Sequence, residues 1–413
     1  MGKSGGVRIG SWVNVVLRVI PVLFLALTAM PSESIGQQPQ DTGAQRRQQI
    51  GQARAWLGRT GLRAFISSSG VLGELQNRAA SYGVLEGVEA ARTAELGARI
   101  AGLEEALRGD LPPTVRQELE SDRDRLVTAL TTVPEYETEY SAVTVQAGSL
   151  LNTGSLGRKP LFGLVRGRGH YRWGGNGQLD VLNGSLDAAL VVLPSAKWMV
   201  LLGASGRHTS VDIEPFSGES TVSALGPRVD VGFEADRHWT LAFHGFYGWT
   251  SSETTINRPG PGGPVEVTTD ETSRSAHMQS VLLGRYRLRN LLGMKNRVTL
   301  HPLAGFYLVS DRPTGESVNG SESLGVLRVG STLTAALGRS RRWQPGLLLA
   351  YEWEAVNNIS NLVDDPHAIA AMLEVSYSLS LTGRALLEYT AVRGLRGRRG
   401  SSELTLVLIL DTW

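Results

Sequence analysis

The chain contains no cysteine, so neither a disulfide framework nor a thiolate metal centre can form. It also lacks an apolar run long enough to cross a bilayer as a helix. The one such stretch, Val19 to Met30, is interrupted by Pro21 and falls short of the ~20 residues a spanning helix needs. An inner-membrane helix bundle is thereby excluded. A surplus of one charge is missing as well: 41 Lys and Arg against 39 Asp and Glu leave a net charge of +2, which offers no basic surface for nucleic acid. Aromatic residues make up only 7% of the chain. Glycine, by contrast, is abundant at 49, in keeping with many turns and close strand contacts.

The N-terminus has the order of an export signal. Lys3, Arg8 and Arg18 precede the apolar stretch, and Ser34 and Gly36 supply small residues at the minus-three and minus-one positions of a cleavage site, giving a signal peptide over 1–36. Residues 37–135 then change character. Leu96, Ile100, Leu103 and Leu107 form one helical stripe, and Val115, Leu119, Leu126 and Leu130 form a second, interrupted by Asp122. Asp110, Leu111, Pro112 and Pro113 separate the two, since proline stops one helix and suits the first turn of the next. An antiparallel helical hairpin is expected. Further helical stretches run from Ile50 to Phe65 and through Val71, Leu75, Ala79 and Tyr82. This small α-helical or coiled-coil region reads as a periplasmic arm, plug or passenger. Residues 136–159 read as a linker.

Beyond the linker the hydrophobic period is two, and it stays two to the end. Between Leu161 and Trp173, Leu161, Val165, Tyr171 and Trp173 share one face while Arg166, Arg168, His170 and Arg172 share the other. One face suits lipid and the other water. Twelve such segments are expected over 160–413. Their connections alternate between short turns, such as Pro194 to Ala196, and longer polar loops, such as Arg393 to Ser402. The longest loop, Ser251 to His277, contains Arg258, Pro259, Gly260, Pro261, Gly262, Gly263 and Pro264. Alternation of this kind belongs to a barrel with both termini on the short-turn side.

Tryptophan placement marks two levels. Trp198, Trp239, Trp343 and Trp413 sit beside short turns or the terminus, and Trp173, Trp249 and Trp353 sit beside long loops. Trp239 to Trp249, like Trp343 to Trp353, is ten residues along one strand face, roughly 33 Å of chain at ~3.3 Å per residue. A tilt of about 40° reduces this to roughly 25 Å, the height of the apolar band on an outer-membrane barrel. The expected fold is therefore mainly β: an antiparallel transmembrane barrel of about twelve strands, lying in outer-membrane lipid, with the helical region in the periplasm.

Parity places Arg166, Arg168, His170, Arg172, Arg228, Glu234, Glu352, Glu374, Arg384 and Glu388 toward the lumen, with Arg207, Arg297, Arg328, Asp187, Asp230 and Glu354 beside them. Charges lining a pore tune ion selectivity. The same charges also pair across a lumen and hold its shape, so both readings stay open. His208, Asp212, Glu253, Asp270 and His277 fall near the long loops, but no nucleophile elbow or His-Glu-x-x-His pair accompanies them. No catalytic, cofactor or metal site is expected. His244 and His301 read as hydrogen-bonded lumen residues rather than ligands.

Residues 160–413 resemble the translocator domain of autotransporters, on strand number, loop alternation and the terminal aromatic Trp413. The resemblance implies that Trp413 is read by the outer-membrane barrel-assembly machinery. The chain departs from the family in two respects. Only about a hundred helical residues precede the barrel, and Asp411 occupies the third-last place. If Leu404, Leu406, Leu408 and Leu410 face lipid, then Glu403, Asp411 and Trp413 point inward. The expected function is a pore or an autotransporter-like translocator. The alternative is a non-conducting anchor or adhesin whose helical arm binds a periplasmic protein partner.

Overall fold

The computed structural model describes residues 138–412 apart from short connections, together with residues 96–109 and 111–131 and the single positions Leu75 and Thr93. The expected export signal, most of the helical stretches between Ile50 and Tyr82, and Trp413 lie outside the described residues. Among the described residues two helical segments precede the barrel, α1 over residues 96–107 and α2 over Pro113–Thr131. In α1 the expected stripe of Leu96, Ile100, Leu103 and Leu107 is half-buried. In α2 the half-buried positions are Leu119, Arg123, Leu126, Ala129 and Leu130, while Val115 is exposed. The end of α1 leaves carbonyls without helical partners, and Arg116 answers two neighbouring ones by donating to Leu107 O at 3.5 Å and Gly109 O at 3.3 Å. No helix among the described residues is long and apolar enough to cross a membrane.

The crossing elements are strands. In chain order they are β1 Thr138–Leu156, β2 Lys159–Trp173, β3 Leu179–Ser195, β4 Trp198–Ile213, β5 Gly218–Glu234, β6 Trp239–Gly260 and β7 Gly263–Gly284. A three-residue β8, Tyr286–Leu288, follows. Then come β9 Val298–Pro313, β10 Glu322–Ala335, β11 Trp343–Asn357, β12 His367–Ser378, β13 Arg384–Gly394 and β14 Arg399–Thr412. Leu283 pairs with Leu303 and Tyr286 with Leu300, one continuous register, so β7 and β8 are a single wall strand interrupted at Arg285. Sequential neighbours pair antiparallel, and β14 returns to β1, closing a barrel of thirteen strands.

The thirteenth strand corrects the expectation of twelve. It is β1, which occupies the segment read as a linker. Its lumen side carries Thr144 and Gln146, and Ser141, Gly148, Ser149 and Asn152 dilute the rest, so hydrophobic contrast between its faces is weak. Among its described residues, Val143 and Val145 are the large apolar side chains exposed on its outer side. The expected long loop Ser251 to His277 is likewise mostly strand, because β6 and β7 stay paired out to Gly260 and Gly263. β-Branched residues explain this: Thr254, Thr255 and Ile256 run opposite Val267, Thr268 and Thr269.

An odd count changes where the chain ends lie. β1 and β14 pair in parallel, Thr138 beside Arg399 and Leu151 beside Thr412. Thr138 is therefore at the long-loop rim and Thr412 at the short-turn rim, whereas an even, all-antiparallel ring would bring both ends to one rim. The premise that both ends share the short-turn side does not hold for this barrel. On β14, Leu404 and Leu406 are exposed outward while Glu403 faces in, and no register shift interrupts its pairing with β1.

Parallel ladders are slightly weaker per residue than antiparallel ones, so the seam is the sensitive joint of the wall. Val145→Arg puts a cation on its outer face, and a loss of roughly 2–4 kcal/mol is expected if the position lies near the bilayer midplane. Urea unfolding in phospholipid vesicles measures this; an unchanged midpoint would mean that β1 is not part of the lipid-facing wall.

Candidate functional site

Side-chain alternation sorts the wall into two surfaces. Leu202, Leu225, Leu349 and Leu373 are among the many large apolar residues that stand exposed on the outside. Soluble proteins expose apolar patches of only a few hundred Å², so this continuous coat marks a lipid-facing surface. Trp173, Trp198, Trp249, Trp343 and Trp353 are exposed on the same side; Trp239 is half-buried and meets Tyr286 edge to face at 5.9 Å. Trp198 packs on Phe233 and Trp343 on Tyr377, with ring centroids 4.4 and 4.7 Å apart.

The inner surface carries three linked sets of charges. In the first, Arg166 donates from Nε to Asp187 at 2.7 Å, and Arg228 reaches the same carboxylate at 2.7 Å. Arg228 Nε also donates to Asp230 at 2.7 Å, and Asp230 contacts His244. Cation and anion thus alternate across β2, β3, β5 and β6. In the second, Glu403 accepts the hydroxyls of Thr144 and Thr405, with Arg168 and His170 each 3.7 Å away. In the third, Arg328 Nε donates to Glu352 at 2.7 Å, and Arg399 Nη2 donates to the other oxygen at 2.8 Å. Arg399 Nη1 is also 2.8 Å from Glu354, a charge contact without hydrogen-bond alignment.

Of the residues expected in the lumen, Arg166, Arg168, His170, Arg172, Arg228, Glu352, Glu374 and Glu388 share the inner face. Arg172 lies 4.0 Å over the Tyr140 ring, a cation–π contact. Glu374 and Glu388 stand directly opposite one another on β12 and β13, both buried. Glu374 folds over Gly346, where a Cβ would lie 2.6 Å from its Cγ, so this glycine is required by close approach. Glu234 is half-buried at the short-turn end of β5. The side chain of Arg384 lies outside the described residues.

Two inner residues were expected in loops. Arg399 and His277 are buried in the lumen, the latter stacked on Phe246 at 4.9 Å. Strand pairing that continues past the expected boundaries put them there, and their own sequence neighbourhoods carry no strong signal of it. The remaining loop candidates do not converge. His208 Nδ1 is 2.7 Å from Ser223 Oγ, while Asp212, Glu253 and Asp270 are exposed. His301 meets Thr334 at 3.3 Å. Among the described residues, no group of three or more His, Asp or Glu side chains is placed to hold a metal ion.

Inward Val181, Val211, Val309, Leu324, Val326 and Ala368 form an apolar collar toward the long-loop end, part of a cluster that runs on through Val281, Leu303 and Leu348 toward the short-turn end. Leu75, from the helical region, is buried in that cluster at 1% exposure. A second apolar group, Phe162, Val191, Met199 and Leu201, lines the short-turn end of β2 to β4.

No family model and no curated protein matches the chain. Among solved structures it is similar to the β domain of the Bordetella autotransporter BrkA, with 15% identity over 56% of this chain and 89% of that one, TM-score 0.39. It is also similar to the translocator domain of the autotransporter NalP from Neisseria meningitidis, with 12% identity over 69% and 92%, TM-score 0.37. A third likeness is to a Pseudomonas aeruginosa FadL homologue, with 11% identity over 57% and 70%, TM-score 0.36. The chemistry has to come from this chain's own lumen.

Asp187 stands between two guanidinium groups, so Asp187→Asn leaves both without their shared counter-charge. A loss of about 3–5 kcal/mol is expected, the cost of breaking a buried pair, against a smaller loss for Arg166→Gln, which leaves Arg228 on Asp187. Equal urea midpoints for the two variants, read by the heat-dependent gel shift of the folded barrel, would show that the network does not hold the wall.

Proposed function

We propose that the protein is an integral outer-membrane barrel acting as a conduit whose long-loop mouth is stoppered by its own N-terminal region. The observation that carries this reading is the pairing of a charged inner wall with an apolar inner cluster that holds Leu75. A charged, polar lumen suits water and ions. An apolar stretch of lining does not, unless something apolar covers it, and Leu75 supplies one such side chain. The tryptophans on the outer surface fit two interfacial girdles about 25 Å apart, with outer-membrane lipid between them and the barrel-assembly machinery as the partner that inserts the wall.

The start of β1 is at the long-loop end. With long loops outside, as on other outer-membrane barrels, the helical region is joined to the outer rim. This replaces the periplasmic arm expected from an even strand count. Autotransporter-like movement of a polypeptide is a narrower form of the same reading. The non-conducting anchor is supported by the ion pairs that tie β2 to β3 and β10 to β11 to β14.

Leu75→Asp places a carboxylate in the collar, where an unpaired charge costs several kcal/mol. In planar bilayers the parent chain is expected to conduct rarely and the variant to give frequent, larger steps. Silence from both favours the anchor. Protease added to intact cells is expected to cut the helical region; full protection would return that region to the periplasm and end the outer-rim assignment.

A further inference from the structure

The inner faces of β2, β3 and β4 bring six polar side chains into two adjoining rows. One row runs Arg168, Ser185, Arg207 and the next runs His170, Asn183, Thr209, each residue directly opposite its neighbour across the strand ladder. Strands lie about 4.8 Å apart, so the backbones of Arg168 and Arg207 are about 10 Å apart, a span that two arginine side chains close easily.

Arg207 belongs to none of the three charge networks. Its Nε and Nη1 are shielded from solvent and meet no acceptor, and no carboxylate lies within ion-pair distance of it among the described residues. The facing acid, Asp311, is taken up by the hydroxyls of Ser273 at 2.7 Å and Ser275 at 3.0 Å. Thr209, two residues along the same face and only 1% exposed, has its Oγ1 equally unmet. A shielded cation and a shielded hydroxyl without partners cost free energy that an acceptor would remove. The guanidinium fork of Arg207 matches two oxygens of one oxyanion.

His170 narrows the class of oxyanion. Thr144 gives its hydroxyl proton to Glu403, so His170 Nδ1, 2.7 Å from the same Thr144 oxygen, must be the donor there. In the neutral ring Nε2 then carries a lone pair. That atom is buried and also unmet. A ligand satisfying Arg207, Thr209 and His170 together must present acceptor oxygens on one side and an O–H on another. A phosphate bearing a P–OH has both, whereas a simple carboxylate lacks the donor.

We propose that this patch of β2 to β4 is a lumen binding site for a small phosphate, with Arg207 and Thr209 donating to its oxygens and His170 accepting from its P–OH. The inference goes beyond the conduit reading and does not need the barrel to conduct. Calorimetric titration of the refolded full chain, at constant ionic strength, with inorganic phosphate and in parallel with acetate is the test. One saturable phosphate site is expected, with acetate at least tenfold weaker. Arg207→Gln should weaken phosphate at least tenfold, Thr209→Val several-fold, and Arg207→Lys to an intermediate extent; Lys197→Gln, in the β3–β4 turn, should leave it unchanged.

The titration is repeated on Leu75→Asp so that a closed mouth does not mask the site. Binding in either protein with the stated Arg207 dependence supports the proposal. Absence of saturable phosphate binding in both, or binding unaffected by Arg207→Gln and Arg207→Lys, overturns it. If Arg207 serves only to neutralise Asp311, Arg207→Gln lowers thermal stability and phosphate shifts neither protein, which also overturns it. A chain that binds phosphate without conducting keeps this site and loses the conduit; a conducting chain that does not bind it does the reverse.

Discussion

Every backbone N–H and C=O within the hydrocarbon of a membrane must find its partner in the protein, and a sheet can meet that demand only by closing on itself. The rest of this structure follows from how that closure is achieved. Thirteen strands close the ring through a parallel pairing of β1 with β14. The chain therefore enters the wall at one rim and leaves it at the other, and the helical region is attached where the long loops are. Had the weakly patterned segment before Leu161 stayed outside the wall, β2 and β14 would have had to meet directly and the ends would have shared a rim.

Closure also creates an interior, and its chemistry is divided. From the middle to the long-loop rim, arginines and carboxylates are interleaved so that Asp187, Asp230, Glu352 and Glu403 each have a cation beside them. This satisfies charges that would otherwise be costly in a confined space. An apolar cluster runs along the same lumen and takes in Leu75. Arg207 is a cation that the networks leave out. It stands in the inner patch of β2 to β4 proposed above as a binding site.

Much of the wall was legible because a strand in lipid has only two faces. Once Leu161, Tyr171 and Trp173 are set outward, Arg166, Arg168, His170 and Arg172 have nowhere to go but inward, and the same parity fixes Glu352, Glu374 and Glu388. Where contrast between the faces fades, so does legibility. β1 pairs Thr144 and Gln146 with short outward side chains and reads as a linker, although its hydrogen bonds are what complete the ring. Arg399 and His277 read as loop residues because strands continue as long as a neighbour is there to pair with, and a single sequence does not show its neighbours' lengths.

By itself the sequence determined the class of fold, the two tryptophan levels, the helical break at Pro112 and Pro113, and the inward parity of most charged residues. All of these are short-range properties, set by a period of two or 3.6 and by the chemistry of one residue at a time. The tertiary structure decided the strand count, the rim at which each end lies, which acid faces which base, and the burial of Leu75 in the collar. These depend on register and closure between segments far apart in the chain, where a shift of one residue turns every side chain to the other face.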